Sequence, residues 1–190
     1  MKTLGITGGI GSGKSVVSHI LASMGIPVYI ADDAAKALYD KDAQLRSEMK
    51  ALFGEDIFSG DKIDRAALAR LVFNDASSLK QLNALVHPAL ARDFQAWQAQ
   101  QHCPIVAFES AILFQSELGL HFDFIITVSA PEALRIERVC KRNNISAAEV
   151  KARMQHQLPQ ATLEQKADAV IVNDNRQAIL PQLLTILHQL

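Results

Sequence analysis

Residues 3–24 read TLGITGGIGSGKSVVSHILASM, and this stretch decides the fold. An apolar strand pattern over residues 3–7 leads into a glycine-rich segment, and an amphipathic helix pattern follows over residues 14–24. Residues 8–15 fit the motif G-x-x-x-x-G-K-S/T in the strand, loop and helix context that it requires. The stretch therefore predicts a phosphate-binding loop at the start of a parallel α/β fold.

The predicted loop binds phosphate through its backbone. Its glycines let the chain curl until successive amides point at phosphate oxygens, beside the positive end of the next helix. Lys14 is expected to reach the β- and γ-phosphates of ATP, and the Ser15 hydroxyl to bind Mg²⁺. The predicted ATP-binding residues of this segment are Gly9, Ile10, Gly11, Ser12, Gly13, Lys14, Ser15 and Val16. The alternative is a glycine-rich turn with solvated side chains, and the motif leaves open whether water or a bound acceptor takes the phosphoryl group.

Composition excludes several classes of protein. The 190 residues are 49% hydrophobic and 21% charged, which suits one domain, with or without an insertion, and excludes disorder. The net charge of −1 gives no overall reason to expect nucleic acid or an anionic membrane as partner. Cys103 and Cys140 are far apart, and no signal-peptide pattern precedes them, which indicates two free thiols in a reducing cytoplasm. Apolar runs are too short to span a bilayer, so we expect a soluble protein.

Strand-like and helix-like patterns alternate along the chain, which predicts a parallel sheet covered by helices. The predicted strands are residues 3–7, 27–30, 105–109, 124–128 and 170–173, and the last helix is predicted over residues 175–189. The second and third strands are too far apart for one crossover helix, so roughly residues 32–102 are predicted to form an inserted helical, substrate-holding subdomain with a break at Pro88.

Asp32 and Asp33 follow the second predicted strand and Glu109 ends the third, so these three acids should lie at the carboxyl edge of the sheet. Asp32 is a candidate base for an acceptor hydroxyl, or else the N-cap of a helix beginning near Ala34. Asp33 suits capping better than catalysis. Glu109 is expected to hold a Mg²⁺-bound water, to bond to the phosphate loop or to orient an arginine.

Residues 135–153 contain six Lys and Arg residues against two Glu in an otherwise neutral chain. Arg138 and Arg142 are four residues apart and share a helix face, where they could grip phosphates and stabilise the charge of the transferred group. A solvated helix face is the alternative. Next to a phosphate loop we favour a lid over residues 135–159, whose tip is Asn143-Asn144 and whose closure excludes water.

Six histidines lack metal-ligand spacing, so no metal is predicted beyond nucleotide-bound Mg²⁺. His87 precedes Pro88 at a predicted helix boundary. It could contact an acceptor or bond to the backbone, and the residues alone favour the backbone.

Together these motifs resemble the dephospho-coenzyme A kinase family over nearly the whole chain. Beyond the phosphate loop, the matching residues are Ala31-Asp32, Ile63-Asp64-Arg65, His87-Pro88, Arg138 with Arg142, Arg153 with Gln157, and Val172-Asn173. The order of the Asp-Arg, His-Pro and Arg-x₃-Gln elements is far more selective than the loop.

The resemblance implies a P-loop kinase fold: a five-stranded parallel sheet flanked by helices, a helical acceptor subdomain and a lid. The implied core is residues 1–31, 103–134 and 160–190. The implied reaction transfers the ATP γ-phosphate to the ribose 3′-hydroxyl of dephospho-coenzyme A, with Mg²⁺, in the last step of coenzyme A synthesis.

The resemblance also implies roles for single residues by their position. Asp32 would be the acceptor-side carboxylate and base, Arg65 and His87 would line the acceptor site, and Asn173 would lie near the adenine. The catalytic residues would be Lys14, Asp32, Arg138 and Arg142.

Two positions depart from the family pattern. Ile30 stands where many members have a second acid, and Gln115 ends a run that usually ends in Glu. Glu109 lies nearby in the sequence and is assigned to acceptor binding in its place. The rival functions are another small-acceptor P-loop kinase, for nucleosides, nucleoside monophosphates or sugars, and a nucleotide-operated switch.

Overall fold

The computed structural model describes residues 1–60, 62–73 and 75–190. A five-stranded parallel sheet has the order β2-β5-β1-β6-β7. Its strands are β1 (Lys2–Thr7), β2 (Val28–Ile30), β5 (Ile105–Glu109), β6 (Phe124–Ser129) and β7 (Ala169–Val172). The five predicted strands are therefore confirmed, and their ends differ from the prediction by one residue at most.

One face of this sheet packs against the first and last helices, α1 (Lys14–Ser23) and α9 (Ile179–Leu187). Leu4 and Ile6 of β1 are fully buried there beside Val17 and Leu21 of α1, which continue the apolar spacing of the helix pattern. This packing fixes the end of β1 against the start of α1 and so positions the six residues, 8–13, that link them.

The chain forms two compact units. The first contains the five-stranded sheet and comprises residues 1–30, 101–115 and 121–190, and the second comprises residues 31–100 and 116–120. Its helices are α2 (Ala31–Lys41), α3 (Ala43–Phe53), α4 (Arg65–Phe73) and α5 (Ala76–Ala99), and a 3₁₀ turn covers Glu55–Ile57. It also contains a feature that the sequence did not predict, an antiparallel hairpin of β3 (Phe58–Ser59) and β4 (Lys62–Ile63). Residues 116–120 were expected in the sheet-containing core, and the contacts group them with this unit instead.

The predicted break at Pro88 is wrong, because α5 continues through it. Proline removes one hydrogen bond and costs about 3 kcal/mol inside a helix. Pro88 lies on the exposed side, as does Ala84, whose carbonyl lacks the usual amide donor and can bond to water. Val86 and Leu90 are buried on the other side and keep the helix in place. His87 therefore lies inside a helix rather than at a boundary.

Three helices follow β6 and precede α9: α6 (Glu132–Asn143), α7 (Ala147–Met154) and α8 (Gln160–Lys166). Ser146 and Glu149 form a capping box at the start of α7, and the bonds from Ser146 lower the pKa of Glu149. The prediction that the last helix starts at residue 175 is wrong. Asp174 accepts bonds from two following amides and Asn175 has a φ of 64°, so this turn delays the helix until Ile179. Within the described ranges, no helix is both long and apolar enough to cross a membrane.

Candidate active site

The segment between β1 and α1 has a backbone that only glycine adopts readily. Gly11 has a φ of 78° and Gly13 a φ of 102°. A side chain at Gly11 would collide with the carbonyl of Arg135, and one at Gly13 would collide with the Asn173 amide. The glycines are therefore required both by the turn and by the close approach of α6 and of the residue after β7.

The carbonyl groups of this loop accept hydrogen bonds from cationic and amide side chains. Lys14 Nζ donates to Gly8 O at 2.9 Å, and Asn173 Nδ2 donates to Ser12 O at 2.8 Å. Arg135 Nε donates to Ile10 O at 3.0 Å. These contacts bind carbonyls along the loop, so any phosphate must be bound by those loop amides that have no acceptor of their own.

Several of those amides have no acceptor in the described part of the chain: those of Gly11, Gly13 and Ser15. The buried hydroxyl of Ser12 also lacks a partner there. Donors gathered at the start of a helix, beside its positive end, form an anion-binding arrangement. The loop can therefore bind phosphate oxygens without first breaking bonds at these positions.

Arg135 was counted in the basic segment but was not predicted as a site residue. Only 7% of it is exposed, and its guanidinium lies against Gly9 while bonding to Ile10 O. Burial lowers the pKa of Arg135, and Glu132 partly opposes this effect. The signal was available, because Arg135 is three residues before Arg138 and therefore on the same helix face.

Arg138 contacts the loop, but Arg142 does not. Arg138 Nη1 lies 3.4 Å from both Gly11 O and Ser12 O, and Nη2 donates to the side chains of Asn173 and Asn175 at 3.1 and 2.6 Å. Arg142 is exposed and donates to the neighbouring Asn143 at 3.0 Å. The structure thus brings Arg135 and Arg138 to the loop, in place of the predicted pair Arg138 and Arg142.

Asn173 binds the loop rather than facing outward. Its amide nitrogen donates to Ser12 O, while its side-chain and backbone oxygens each accept from Arg138 at 3.1 Å. Its own backbone amide donates to Ser129 O at 2.8 Å, which continues the β6–β7 ladder. Asn173 therefore connects the carboxyl edge of the sheet to α6 and the loop, and proximity to an adenine stays a prediction.

The donor set for the predicted Mg²⁺ is a hydroxyl and a nearby carboxylate. Ser15 is exposed, and its hydroxyl makes no hydrogen bond among the residues described. Glu109 is buried and accepts from Ser18 Oγ at 2.5 Å, one helical turn after Ser15. Oxygen donors of this kind suit Mg²⁺, which keeps several waters and takes few protein ligands. Glu109 was predicted to hold a Mg²⁺-bound water, to bond to the phosphate loop or to orient an arginine. The bond that the structure gives it is a fourth one, to Ser18 of α1.

Asp32 is exposed in the first turn of α2, which begins at Ala31. The alternative prediction, an N-cap at Asp32 for a helix beginning near Ala34, is therefore wrong. Ile30, two residues earlier, is the register partner of Glu109 at the ends of β2 and β5. Asp33 forms an exposed ion pair with Lys36 at 3.0 Å.

The other two predicted acceptor residues have local partners. Arg65 Nη2 donates to Asp40 at 3.1 Å and to the Lys36 carbonyl at 3.2 Å. His87 is half-buried, and burial lowers its pKa while Glu117 partly opposes the shift. Acceptor binding by Asp32, Arg65, His87 and Glu109 stays a prediction.

Comparison with known proteins identifies the family of the chain. Residues 2–178 match the dephospho-CoA kinase family. A dephospho-CoA kinase of Bacteroides fragilis is 40% identical over 185 residues, which cover 97% of this chain and 90% of the relative. The crystal structure of TT1252 from Thermus thermophilus has a TM-score of 0.84 and 36% identity, and covers 99% of this chain and 95% of its own.

A dephospho-CoA kinase from Campylobacter jejuni has a TM-score of 0.68 at 25% identity, over 100% of this chain and 97% of its own. The α/β fold with a five-stranded parallel sheet flanked by helices, predicted from the family resemblance, is confirmed. The phosphate loop, the sheet order and these matches lead to one conclusion: the chain belongs to the dephospho-CoA kinase family.

Proposed function

We propose that this protein transfers the γ-phosphate of ATP to the 3′-hydroxyl of the ribose of dephospho-coenzyme A, giving coenzyme A and ADP in the last step of coenzyme A synthesis. Family membership supports the substrate assignment. The observation that carries the proposal is the loop itself, whose carbonyls are bound by Lys14, Arg135 and Asn173 while the amides of Gly11, Gly13 and Ser15 have no acceptor in the described residues.

On the nucleotide side, the proposal assigns phosphate binding to the loop from Gly9 to Val16. Lys14, whose Nζ donates to the Gly8 carbonyl at 2.9 Å, exchanges this contact for the β- and γ-phosphates. Arg138 stabilises negative charge on the transferred group, and Arg142 joins it when the lid over residues 135–159 closes. Asn173 lies beside the adenine end of the site.

On the acceptor side, Asp32 accepts the proton of the ribose 3′-hydroxyl as the oxygen attacks the γ-phosphorus. A bond forms between the 3′-oxygen and phosphorus, the bond from phosphorus to the β,γ-bridging oxygen breaks, and ADP leaves with the electron pair. Arg65, His87 and Glu109 orient the acceptor, which is held by the inserted segment at about residues 32–102.

Mg²⁺ is part of the proposal, and Ser15 is the residue that would hold it, with Glu109 oriented by Ser18 nearby. When bound with ATP, the ion neutralises charge on the β- and γ-phosphates. We place the enzyme in the cytoplasm, where ATP is made and where its two cysteines, which form no disulfide, stay reduced.

The test is ADP release measured with a panel of acceptors. Dephospho-coenzyme A should support turnover well above that of a nucleoside, a nucleoside monophosphate, a sugar or no acceptor. No turnover with dephospho-coenzyme A beside good turnover with a nucleoside monophosphate would refute the substrate. Rapid ADP release without any acceptor would instead indicate a nucleotide-hydrolysing switch.

A further inference from the structure

Ile10, at the middle of the phosphate loop, is held at both of its backbone polar groups. Its carbonyl accepts from Arg135 Nε at 3.0 Å, and its amide donates to Gln157 Oε1 at 2.8 Å. The two side chains come from different parts of the fold, because Arg135 is on α6 and Gln157 is in the segment that links α7 to α8. The orientation of this peptide therefore depends on two elements that lie far from it in sequence.

The α7–α8 linker is itself held by Gln115. Gln115 Oε1 accepts from the Leu158 amide at 3.0 Å, and Nε2 donates to the His156 carbonyl at 3.3 Å. These two bonds lie on either side of Gln157. Although Gln115 is exposed overall, both ends of its amide are engaged on the linker.

We propose that Gln115 and Gln157 are positioning residues for ATP: Gln115 holds the linker so that Gln157, together with Arg135, fixes the Ile10 peptide and presets the phosphate loop. We call these three side chains the loop clamp. The inference rests on the proposed function, because it assigns the clamp to ATP binding in that reaction. Neither glutamine touches the reacting atoms in this role.

The chemistry of an amide explains the presence of Gln115 where the family pattern has Glu. An amide can donate and accept at the same time, as the His156 carbonyl and the Leu158 amide require. A carboxylate would keep the bond to Leu158 but would bring a negative oxygen against the His156 carbonyl. The position therefore serves the linker in this chain rather than supplying an acid.

Gln157 needs only its acceptor oxygen to hold the Ile10 amide. Gln157→Ala removes that acceptor, whereas Gln157→Glu keeps it and adds a charge close to the phosphates. The two variants should therefore separate loop order from ATP affinity. In the alanine variant the Ile10 amide loses its partner, and in the glutamate variant it keeps one.

The experiment measures amide hydrogen exchange of the loop in the full-length, nucleotide-free protein, together with KM and kcat. Gln115→Glu and Gln157→Ala should each speed exchange at Ile10 about three- to tenfold, the range expected for losing one hydrogen bond. Both should raise the KM for ATP by a similar factor, with kcat changed less than twofold. Gln157→Glu should keep the slow exchange of Ile10 while raising the KM for ATP. Gln189→Glu, an exposed glutamine after α9, is the matched control.

Unchanged exchange and unchanged KM in Gln115→Glu would overturn the role of Gln115, and a loss of kcat alone would show that the position acts in catalysis. Fast exchange in Gln157→Glu would overturn the acceptor role of Gln157. The exchange measurement needs no acceptor substrate. If the wild-type protein failed to phosphorylate dephospho-coenzyme A but the exchange results held, the proposed function would fall and the clamp would stand.

Discussion

The phosphate loop and the predicted acceptor residues are built in opposite ways. In the loop, the backbone presents the ligand groups, and side chains from α6, α1 and the residue after β7 hold it in place. In the inserted unit, the candidate groups are side chains: Asp32 is exposed, and Arg65 bonds to Asp40 and to the Lys36 carbonyl of its own unit. In one region a network of side chains holds backbone groups in place, and in the other the candidate groups are side chains on the surface of their own unit.

This difference has an energetic reason. A backbone nest must be held rigidly, because each amide has to meet a phosphate oxygen without a cost of reorganisation. An acceptor site that admits a large, flexible substrate can be ordered by binding it. Substitutions in the loop should therefore affect ATP binding and turnover strongly, whereas acceptor-side substitutions should affect turnover with little effect on ATP.

The largest effect is expected for Lys14→Met, which removes the positive charge assigned to the β- and γ-phosphates. Turnover efficiency should fall about 10³-fold, the upper end for losing one charge-stabilising donor. The change is checked by steady-state kinetics against Lys80→Met, which neutralises an exposed lysine of α5. A loss below tenfold would mean that the loop amides bind the triphosphate without this side chain.

Removing single arginines of α6 tests whether the loop contacts decide function. Arg138→Ala should raise the barrier by about 2–4 kcal/mol, because it removes both a cation for the transferred group and a support of the loop. Arg142→Ala should cost less, since Arg142 is exposed and donates its hydrogen bond to the neighbouring Asn143 rather than to the loop. Steady-state kinetics of the two variants measure how much each substitution raises the barrier. Equal increases would favour the pair Arg138 and Arg142 that the sequence predicted.

The sequence predicted the loop well because its determinants are local. A strand, closely spaced glycines, a lysine and a helix together fix the path of the backbone over residues 3–24. Gln157 was missed as a loop contact because it meets Ile10 from 147 residues away, whereas Arg135, 125 residues away, could have been inferred from the helix face that it shares with Arg138. No local pattern in the loop specifies which side chain will reach its carbonyls.

The inserted unit was harder to predict for a different reason. The residue pattern predicted that this unit is helical. It could not predict the hairpin around Gly60, because each strand of the hairpin has two residues, too few to show an alternating pattern. Asp61, which follows Gly60, lies outside the described residues. Pro88 misled the prediction because a helix boundary was inferred from one residue, while the buried side chains on the other face of α5 decided the outcome.

The acceptor-side counterpart of the lysine test is Asp32→Asn. Turnover should fall about 10²-fold or more, on the scale of a general base, while the affinity for ATP stays nearly unchanged. Asp33→Asn is the matched control, because Asp33 is the adjacent exposed carboxylate and pairs with Lys36. Single-turnover rates and ATP binding should be measured for both. Near-normal rates in Asp32→Asn would show that this carboxylate is not the base.

A smaller effect, on stability, separates backbone strain from crowding at the loop. Gly11→Ala and Gly25→Ala both place a side chain at a positive φ, 78° and 82°, which costs about 1–2 kcal/mol. Only Gly11 has a neighbouring backbone in the way, that of Arg135, whereas Gly25 has open space. Denaturant titration should therefore give a loss in the free energy of unfolding at least about 1 kcal/mol greater for Gly11→Ala. Equal losses would mean that α6 moves aside freely and does not hold the loop.

The smallest expected effect concerns His87, the acceptor candidate with a perturbed environment. Burial lowers the pKa of His87 in the folded protein below its ordinary value of 6.5, so the unfolded chain takes up the proton first as the pH falls. Neutral His87 therefore makes its full contribution to the free energy of unfolding above the ordinary pKa. That contribution declines as the pH falls from the ordinary pKa toward the lower pKa of the folded protein.

The resulting loss should be modest, because His87 is half-exposed and Glu117 opposes the shift. Between about pH 7.5 and pH 5.5, Tm should fall about one or two degrees less in His87→Gln than in the wild type. His188→Gln, at an exposed histidine after α9, controls for the loss of an imidazole. If His87→Gln left the pH dependence of Tm unchanged but raised the KM for dephospho-coenzyme A, His87 would face the acceptor in solution rather than the helix packing around it. The pH dependence of Tm thus reports on the burial of His87, and the KM for dephospho-coenzyme A reports on its contact with substrate. The two measurements decide between the backbone role that the residues alone favoured and the acceptor role that the family resemblance implied.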